Sequence, residues 1–528
     1  MRELKFEELT LEQKLGMVYT AYRSPWFDHG RKECEEWILS MVKKRALGSV
    51  WVQQNLPDSD AFIQQVKETA DYPILIFTDA ESGMGEYNIG KHNAIGCTDS
   101  VEHAYAFGKT LGVTARKKGY NVVCNPVVDL SISGSQRSLG ADKEKVALLA
   151  AAVVRGMHDG GILSVCKHYP GDALVSLSES RDSHMEEVIN PETKEELLET
   201  NLYPYIKLNE QGLLDGLMVG HHRFPNIDPD HPASLSKTII DIIREQGFEG
   251  FTITDALCMQ GVVSSYGWEK PMGLCIGAGN TFALPYSSAV EIKYNQMKMG
   301  YENGYFTEEQ LDAAVKIVLE TQKKAMEMYK ETEISEQEHK LAKAINKDSV
   351  YAKTDAGVLP SISRDGKYLF VMVISNVAAI DGQGKVEVDT FSGGWYRPKE
   401  VSEKIRTLFP NSDVYMIHEF PSQGQNLYVL NHSLDYDDTI FLNYSEPLAY
   451  VGVEAVTCRL QALFRALQQS NRVSTLVHFG NPCVLEPLPH FPRVIIGGNS
   501  TESIDTCIEV LAGNYPAKGK LTYDVKLK

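Results

Sequence analysis

Residues 162–171 read ILSVCKHYPG, an apolar run that ends on Lys167 and His168 before a Pro-Gly turn. Apolar side chains on both faces of so short a segment mark a strand covered on both sides, as in a parallel sheet. A lysine and a histidine at its C-terminal end are costly in a core and useful in a site. The pattern recurs at 48–52 (GSVWV), 74–79 (ILIFTD), 122–129 (VVCNPVVD), 214–222 (LDGLMVGHH), 251–255 (FTITD) and 280–285 (NTFALP). Helical patterns at 58–70, 142–158, 192–209, 235–246 and 308–330 fall between these runs. Polar residues close the strands: Asp79, Asp129, Lys167 with His168, His221 with His222, and Asp255. In a (β/α)8-type barrel the C-terminal strand ends converge on one face, where active sites lie. An open doubly wound sheet instead gathers its ligand at one switch point. Five strands ending in this way favour the barrel.

Further along, the charged stretch 323–350, KKAMEMYKETEISEQEHKLAKAINKDSV, reads as a long exposed helix or helical linker. Strands then recur at 368–374, 413–418, 438–443, 473–479 and 493–496, with helical segments at 398–408, 454–470 and 501–512. This predicts a three-layer α/β/α sandwich after the barrel. The expected division is a catalytic barrel over 1–335, a helical linker over 336–360 and the sandwich over 361–528. Neither G-x-G-x-x-G nor G-x-x-x-x-G-K-[ST] occurs in the second part, which therefore lacks the usual nucleotide signatures.

Bulk properties narrow the function. A chain of 528 residues holds two or three domains, and 43% hydrophobic with 23% charged residues is a globular composition. A formal net charge of -18 excludes the basic face that nucleic-acid binding needs and disfavours anionic membranes. No apolar run spans a bilayer and the N-terminus lacks a secretory core, so a cytoplasmic location is the default expectation. The nine cysteines are scattered without a C-x-x-C pair and read as reduced, mostly buried thiols. No metal or cofactor is expected. His221 and His222 are adjacent on a strand and face opposite ways, which keeps them from sharing one ion.

Two loops carry candidate chemistry. Asp182 stands two residues before His184, a spacing that lets a carboxylate orient an imidazole whose ordinary pKa suits acid/base work. Taken alone, D-S-H could equally be an exposed turn. Asp255 closes an apolar strand, where it could attack an anomeric carbon or cap the following helix. Asp79 at another strand end and Arg137 on the loop after 122–129 could grip vicinal hydroxyls or form local ion pairs.

Together these segments resemble glycoside hydrolase family 3, in particular its β-N-acetylglucosaminidase branch. The likeness runs through LTLEQKLG, ILIFTDAESG, NVVCNPVVDL with QRSLGAD, CKHYPG with RDSH, GHHRFPNIDPDHPASLS, GFEGFTITDALCM and, near the end, HFGNPCVLEPLPHFPRVIIGGNS with AKGKL. It implies Asp255 as nucleophile and His184 as acid/base oriented by Asp182. It further implies Asp79, Arg137, Lys167 and His168 as binders of the sugar in the cleaved subsite. The departures are Gly171-Asp172-Ala173 after the proline, a longer segment from Lys167 to Asp182, Ala256 after the nucleophile position, and Asn280.

The expected activity is exo-acting, retaining cleavage of a small N-acetylglucosaminide by double displacement, with water or phosphate as acceptor. The alternatives are a β-glucosidase or β-xylosidase with a carboxylate acid/base from the second domain, and a non-catalytic sugar-binding relative. A homodimer is an open option.

Overall fold

The computed structural model describes residues 2–527 except 24–29, 55, 57, 173, 178, 375, 381–385, 391–396 and 446–455. Ala173, one of the family departures, lies outside the described residues. Seven strands form one parallel sheet in chain order: β1 (Thr20–Arg23), β2 (Ser49–Val52), β3 (Leu75–Asp79), β4 (Val122–Val127), β5 (Leu163–Tyr169), β6 (Gly216–Val219) and β7 (Phe251–Thr254). The NTFALP segment closes the ring. Phe282 bridges Ile253 of β7 and Ala283 bridges Tyr19 beside β1, both in parallel sense. Its hydrogen bonds run to both sides, with Phe282 N donating to Thr252 O (2.9 Å) and Thr20 N donating to Ala283 O (3.1 Å). The eighth strand of the (β/α)8-type barrel is thus reduced to two bridges.

The first strand, TAYR, has no counterpart in the sequence reading. Arg23 makes it look solvated, yet the residue is 2% exposed because its guanidinium pairs with Glu35 at 2.7 Å. The 192–209 pattern, read as one helix, is two: Lys194–Glu199 and Tyr203–Glu210. Pro204 lies in the first turn of the second helix, where a missing N–H is harmless.

Inside the barrel, Phe77, Phe251 and Phe282 meet edge to face with centroids 5.6–6.0 Å apart, and Trp51 stacks on Phe77 at 6.3 Å. Side chains two apart on a strand share a face. Asp79 therefore points the same way as Phe77, and Asp255 the same way as Ile253 and Phe251. The aromatic layer is the dry floor beneath the polar strand ends.

The second part contains β8 (Tyr351–Thr354), β9 (Tyr368–Ile374), an antiparallel pair of β10 (Asn376–Ile380) and β11 (Val386–Thr390), β12 (Asp413–His418), β13 (Asp438–Ser445), β14 (Val473–Gly480) and β15 (Arg493–Gly497). Six of these form a sheet in the order β12-β9-β13-β14-β15-β8, parallel except for the edge strand β8. One face buries Val401, Ile405, Ile504 and Ile508 from two helices. The other buries Val429, Leu460 and Phe464 from two more, which makes three layers. The charged 323–350 stretch is not a free exposed helix. Its second half, Glu336–Asp348, buries Ala342, Ile345 and Asn346, while Tyr87 Oη meets His339 Nδ1 at 2.9 Å.

Candidate active site

The strand ends bring most of the expected residues onto one face. On β3, Asp79 Oδ2 accepts a hydrogen bond from Lys167 Nζ at 2.8 Å, and the same ammonium lies 2.7 Å from Glu81 Oε1. Arg137 reaches in from the loop after β4 and forks onto Glu81, with Nε to Oε2 at 2.9 Å and Nη2 to Oε1 at 2.5 Å. His168 Nε2 is 3.0 Å from the Arg137 guanidinium, and its Nδ1 is 2.7 Å from Asp129 Oδ2. The pairing of β5 shifts register between Lys167 and Tyr169. Such an irregularity breaks strict alternation, so the consecutive side chains of Lys167 and His168 both turn into the cluster.

Asp255 follows β7 and joins the same group, with Oδ2 4.0 Å from His168 Nε2. It does not cap the next helix, Gln260–Tyr266, whose N-cap is Met259. Its Oδ1 instead accepts Ala256 N–H at 2.7 Å. Burial pushes this carboxyl upward. The neighbouring imidazoles of His168, His221 and His184 and the Ala256 N–H outweigh burial and hold it at about 2.

Burial also raises Asp79, against the pull of Lys167. Glu81 is pressed upward by burial too, yet Arg137 and Lys167 carry it well below the usual carboxylate range. Lys167, 1% exposed, is raised: burial disfavours its charge, but Asp79 and Glu81 more than compensate. Lys167 and Arg137 balance Asp79 and Glu81 and leave fixed donors and acceptors at the strand ends. Asp79 Oδ1 is buried and, among the described residues, without a hydrogen-bond partner.

The pair on the following loop has the expected internal geometry. His184 Nδ1 lies 2.6 Å from Asp182 Oδ1, which also accepts His184 N–H at 2.9 Å. The loop is fastened beside Asp255: Gln260 N donates to His184 O at 3.2 Å and Gly261 N to Ser183 O at 3.0 Å. Leu177, further back on this loop, packs against the core of the second sheet.

His221 and His222, expected on a strand, lie just past the end of β6 and take different partners. His221 is buried between Ser234 Oγ (2.8 Å) and Ala256 O (3.0 Å), and burial lowers it to about 4. His222 faces Asp172 at 3.5 Å. Among the described residues no group of three or more His, Cys, Asp or Glu side chains is arranged to hold a metal ion. No helix among them is long and apolar enough to cross a membrane.

Two participants escaped the sequence reading. Glu81 sits two residues past Asp79 in ILIFTDAESG, beyond the strand end that draws the eye in the sequence. Asp129 was read as a strand end without a partner. A carboxylate one turn beyond a strand that already ends in Asp was the available signal for the first.

Residues 9–321 match the family model described as the glycosyl hydrolase family 3 N-terminal domain. The chain is 25% identical over 574 aligned residues to a beta-N-acetylglucosaminidase/beta-glucosidase of Cellulomonas fimi, covering 98% of this chain and 94% of that protein. It is 27% identical to a beta-hexosaminidase of Tolumonas auensis over 42% of this chain and 68% of the relative. Among solved structures, a family 3 beta-N-acetylglucosaminidase from Paenibacillus sp. str. FPU-7 superimposes with a TM-score of 0.77 at 21% identity, covering 98% of this chain and all of the other (100%). The beta-glucoside phosphorylase BglX superimposes with a TM-score of 0.78 at 21% identity, covering 98% and 94% of the two chains. At such identity these superpositions establish the shared two-part fold.

Proposed function

The chain belongs to glycosyl hydrolase family 3, and on that premise we propose that it is a retaining, exo-acting β-N-acetylglucosaminidase with Asp255 as nucleophile and His184 as acid/base. The observation that carries this reading is Asp255 itself: a strand-end carboxylate kept ionised beside His168, within a pocket of groups suited to sugar hydroxyls. The names of the relatives from Cellulomonas fimi and Tolumonas auensis support the substrate class.

In the first step Asp255 attacks the anomeric carbon and the bond to the aglycone oxygen breaks. Protonated His184 gives its proton to that oxygen, leaving a covalent glycosyl ester on Asp255. Asp182 accepts from Nδ1, which fixes the tautomer and leaves Nε2 as the nitrogen that transfers the proton. In the second step neutral His184 takes a proton from water, whose oxygen attacks the anomeric carbon while the Asp255 ester bond breaks. Two inversions give net retention. Asp79, Arg137, Lys167 and His168 bind the sugar in the cleaved subsite. Residues 1–335 supply all of these groups; the helix Glu336–Asp348 connects them to the sandwich, whose edge strand is already β8, Tyr351–Thr354.

A second acceptor deserves a test because the acid/base is an imidazole. A carboxylate in that role repels an anion, whereas His184 does not, so phosphate can attack the ester to give a sugar 1-phosphate. A nitrophenyl panel of N-acetylglucosaminide, glucoside and xyloside, run with and without phosphate, tests both points. The proposal expects the N-acetylglucosaminide to lead and Asp255→Asn to be inactive. Preference for glucoside or xyloside, with His184→Ala nearly unimpaired, would transfer the assignment to a second-domain carboxylate. Free sugar alone at saturating phosphate would remove phosphorolysis.

A further inference from the structure

The loop that delivers Arg137 is held from outside the barrel. Asn481, which follows β14 in the second sheet, is 1% exposed and uses both ends of its amide. Its Oδ1 accepts Cys483 N–H at 2.9 Å, and its Nδ2 donates to Ser133 O at 3.0 Å. Gly134 lies directly beneath this amide with φ +81, and a Cβ there would overlap Asn481 Oδ1. Glycine is needed at this position for the backbone angle and for the close approach.

Asn481 is fixed in turn by His478. His478 Nε2 faces Asn481 O at 2.8 Å and its Nδ1 faces Asn443 Nδ2 at 3.1 Å. A carbonyl oxygen only accepts, so Nε2 carries the proton and Nδ1 receives the Asn443 amide. Further along the loop, Tyr523 Oη donates to Ser135 O, and Ala141 N donates to Thr522 O at 3.0 Å. Three anchors from the C-terminal part thus bracket Arg137, whose guanidinium meets Glu81 and His168.

We propose that Asn481 and Tyr523 are positioning residues: the second sheet sets the placement of Arg137 in the sugar subsite by clamping the backbone of residues 133–141. This rests on the reading of Arg137 as a sugar binder. Neither residue touches substrate in this account, and each acts through the loop. A displacement of the order of an ångström at a binding guanidinium is enough to weaken substrate affinity strongly. Removing the clamp should therefore act on KM, whereas general destabilisation lowers the fraction of working enzyme and so lowers apparent kcat at constant KM.

The test is a double-mutant cycle on the full chain with nitrophenyl N-acetylglucosaminide. Asn481→Ala and Tyr523→Phe should each raise KM by about tenfold with little change in kcat, and Arg137→Ala should raise it more. In the Arg137→Ala background the Asn481→Ala and Tyr523→Phe changes should add almost nothing, because what they position is gone. Tyr523→Phe keeps the ring and removes only the hydroxyl, which donates to Ser135 O and accepts from Asn93 Nδ2 (2.9 Å), so it serves if Asn481→Ala fails to fold. If Arg137→Ala is impaired but Tyr523→Phe keeps the native KM, the clamp proposal is overturned while the subsite reading stands. Additive effects in the cycle overturn it as well. If Arg137→Ala itself leaves KM unchanged, the subsite reading falls and the clamp with it.

Discussion

The guanidinium of Arg137 lies 3.0 Å from Nε2 of His168. A guanidinium has only donors, so Nε2 must accept, and the ring proton sits on Nδ1, where it donates to Asp129 Oδ2 at 2.7 Å. A substrate hydroxyl entering between Arg137 and His168 competes for that same lone pair. Long-range nitrogen–proton correlation spectra of the ligand-free protein should show His168 as the Nδ1–H tautomer. Asp129→Asn should disturb that pattern and lower kcat/KM without unfolding the chain. An Nε2–H tautomer in the native spectrum would show that the Arg137–His168 contact is misassigned.

Glu81 pairs with both the buried Lys167 and the partly exposed Arg137. Replacing it with glutamine removes the carboxylate shared by both cations; breaking a fully buried pair from one side costs about 3–5 kcal/mol, and solvent reaching Arg137 and Asp79 brings the cost here to the lower end of that range or below it. Glu81→Gln should lower stability by that order in denaturant titrations, and kcat/KM by about a hundredfold. A variant with native stability and kinetics would mean that the network does not organise the site.

Among the described residues three imidazoles are buried and held at about 4, by burial first in each case: His92, His221 and His478. Their folded-state pKa lies below the unfolded value of about 6.5, so between the two the unfolded chain binds more protons. Stability is therefore full above about pH 6.5 and falls as pH drops toward 4, each group contributing on the order of 3 kcal/mol over that window. Chemical denaturation across pH 4–7 should show this slope well before the carboxylates titrate, and His478→Gln should flatten it. A flat profile over the window would contradict the assignment of neutral buried rings.

Asp255 has the opposite consequence at lower pH. Its folded-state value of about 2 lies below the ordinary carboxylate range, so its contribution is present above about pH 4 and fades as pH falls toward 2. The acid limb of kcat/KM should accordingly come from other groups, and the stability difference between wild type and Asp255→Asn should change only below about pH 4.

The aromatic floor makes a packing prediction. Phe282 is 0% exposed and belongs to the segment that closes the barrel. Phe282→Ala should cost about 3–5 kcal/mol by thermal or urea unfolding. Phe282→Leu should cost clearly less, because it keeps most of the volume.

What could be read from the sequence was whatever a short local pattern carries. An ionisable residue closing an apolar run is rare enough to notice, and Asp79, Lys167, His168 and Asp255 all stood out in this way. The strand at Thr20–Arg23 did not, because Arg23 is neutralised by Glu35 on the next helix, a pairing no local pattern displays. Glu81 was missed for the same reason: its partner Arg137 is 56 residues away. The helix Glu336–Asp348 looked exposed because its charges dominate the composition, while Ala342 and Ile345, three apart, form the narrow stripe that docks. The clamp of Asn481 on Ser133 spans 348 residues and belongs wholly to tertiary structure.

The central claim is that Asp255 forms the covalent bond to the sugar. Incubation with a slow fluorinated substrate, 5-fluoro-N-acetylglucosaminyl fluoride, followed by proteolysis and mass spectrometry, tests it directly. The account predicts one added sugar on the peptide containing Asp255, absent from Asp255→Asn. A label on any other carboxylate, or turnover of the reagent with inversion and no trapped ester, would contradict it.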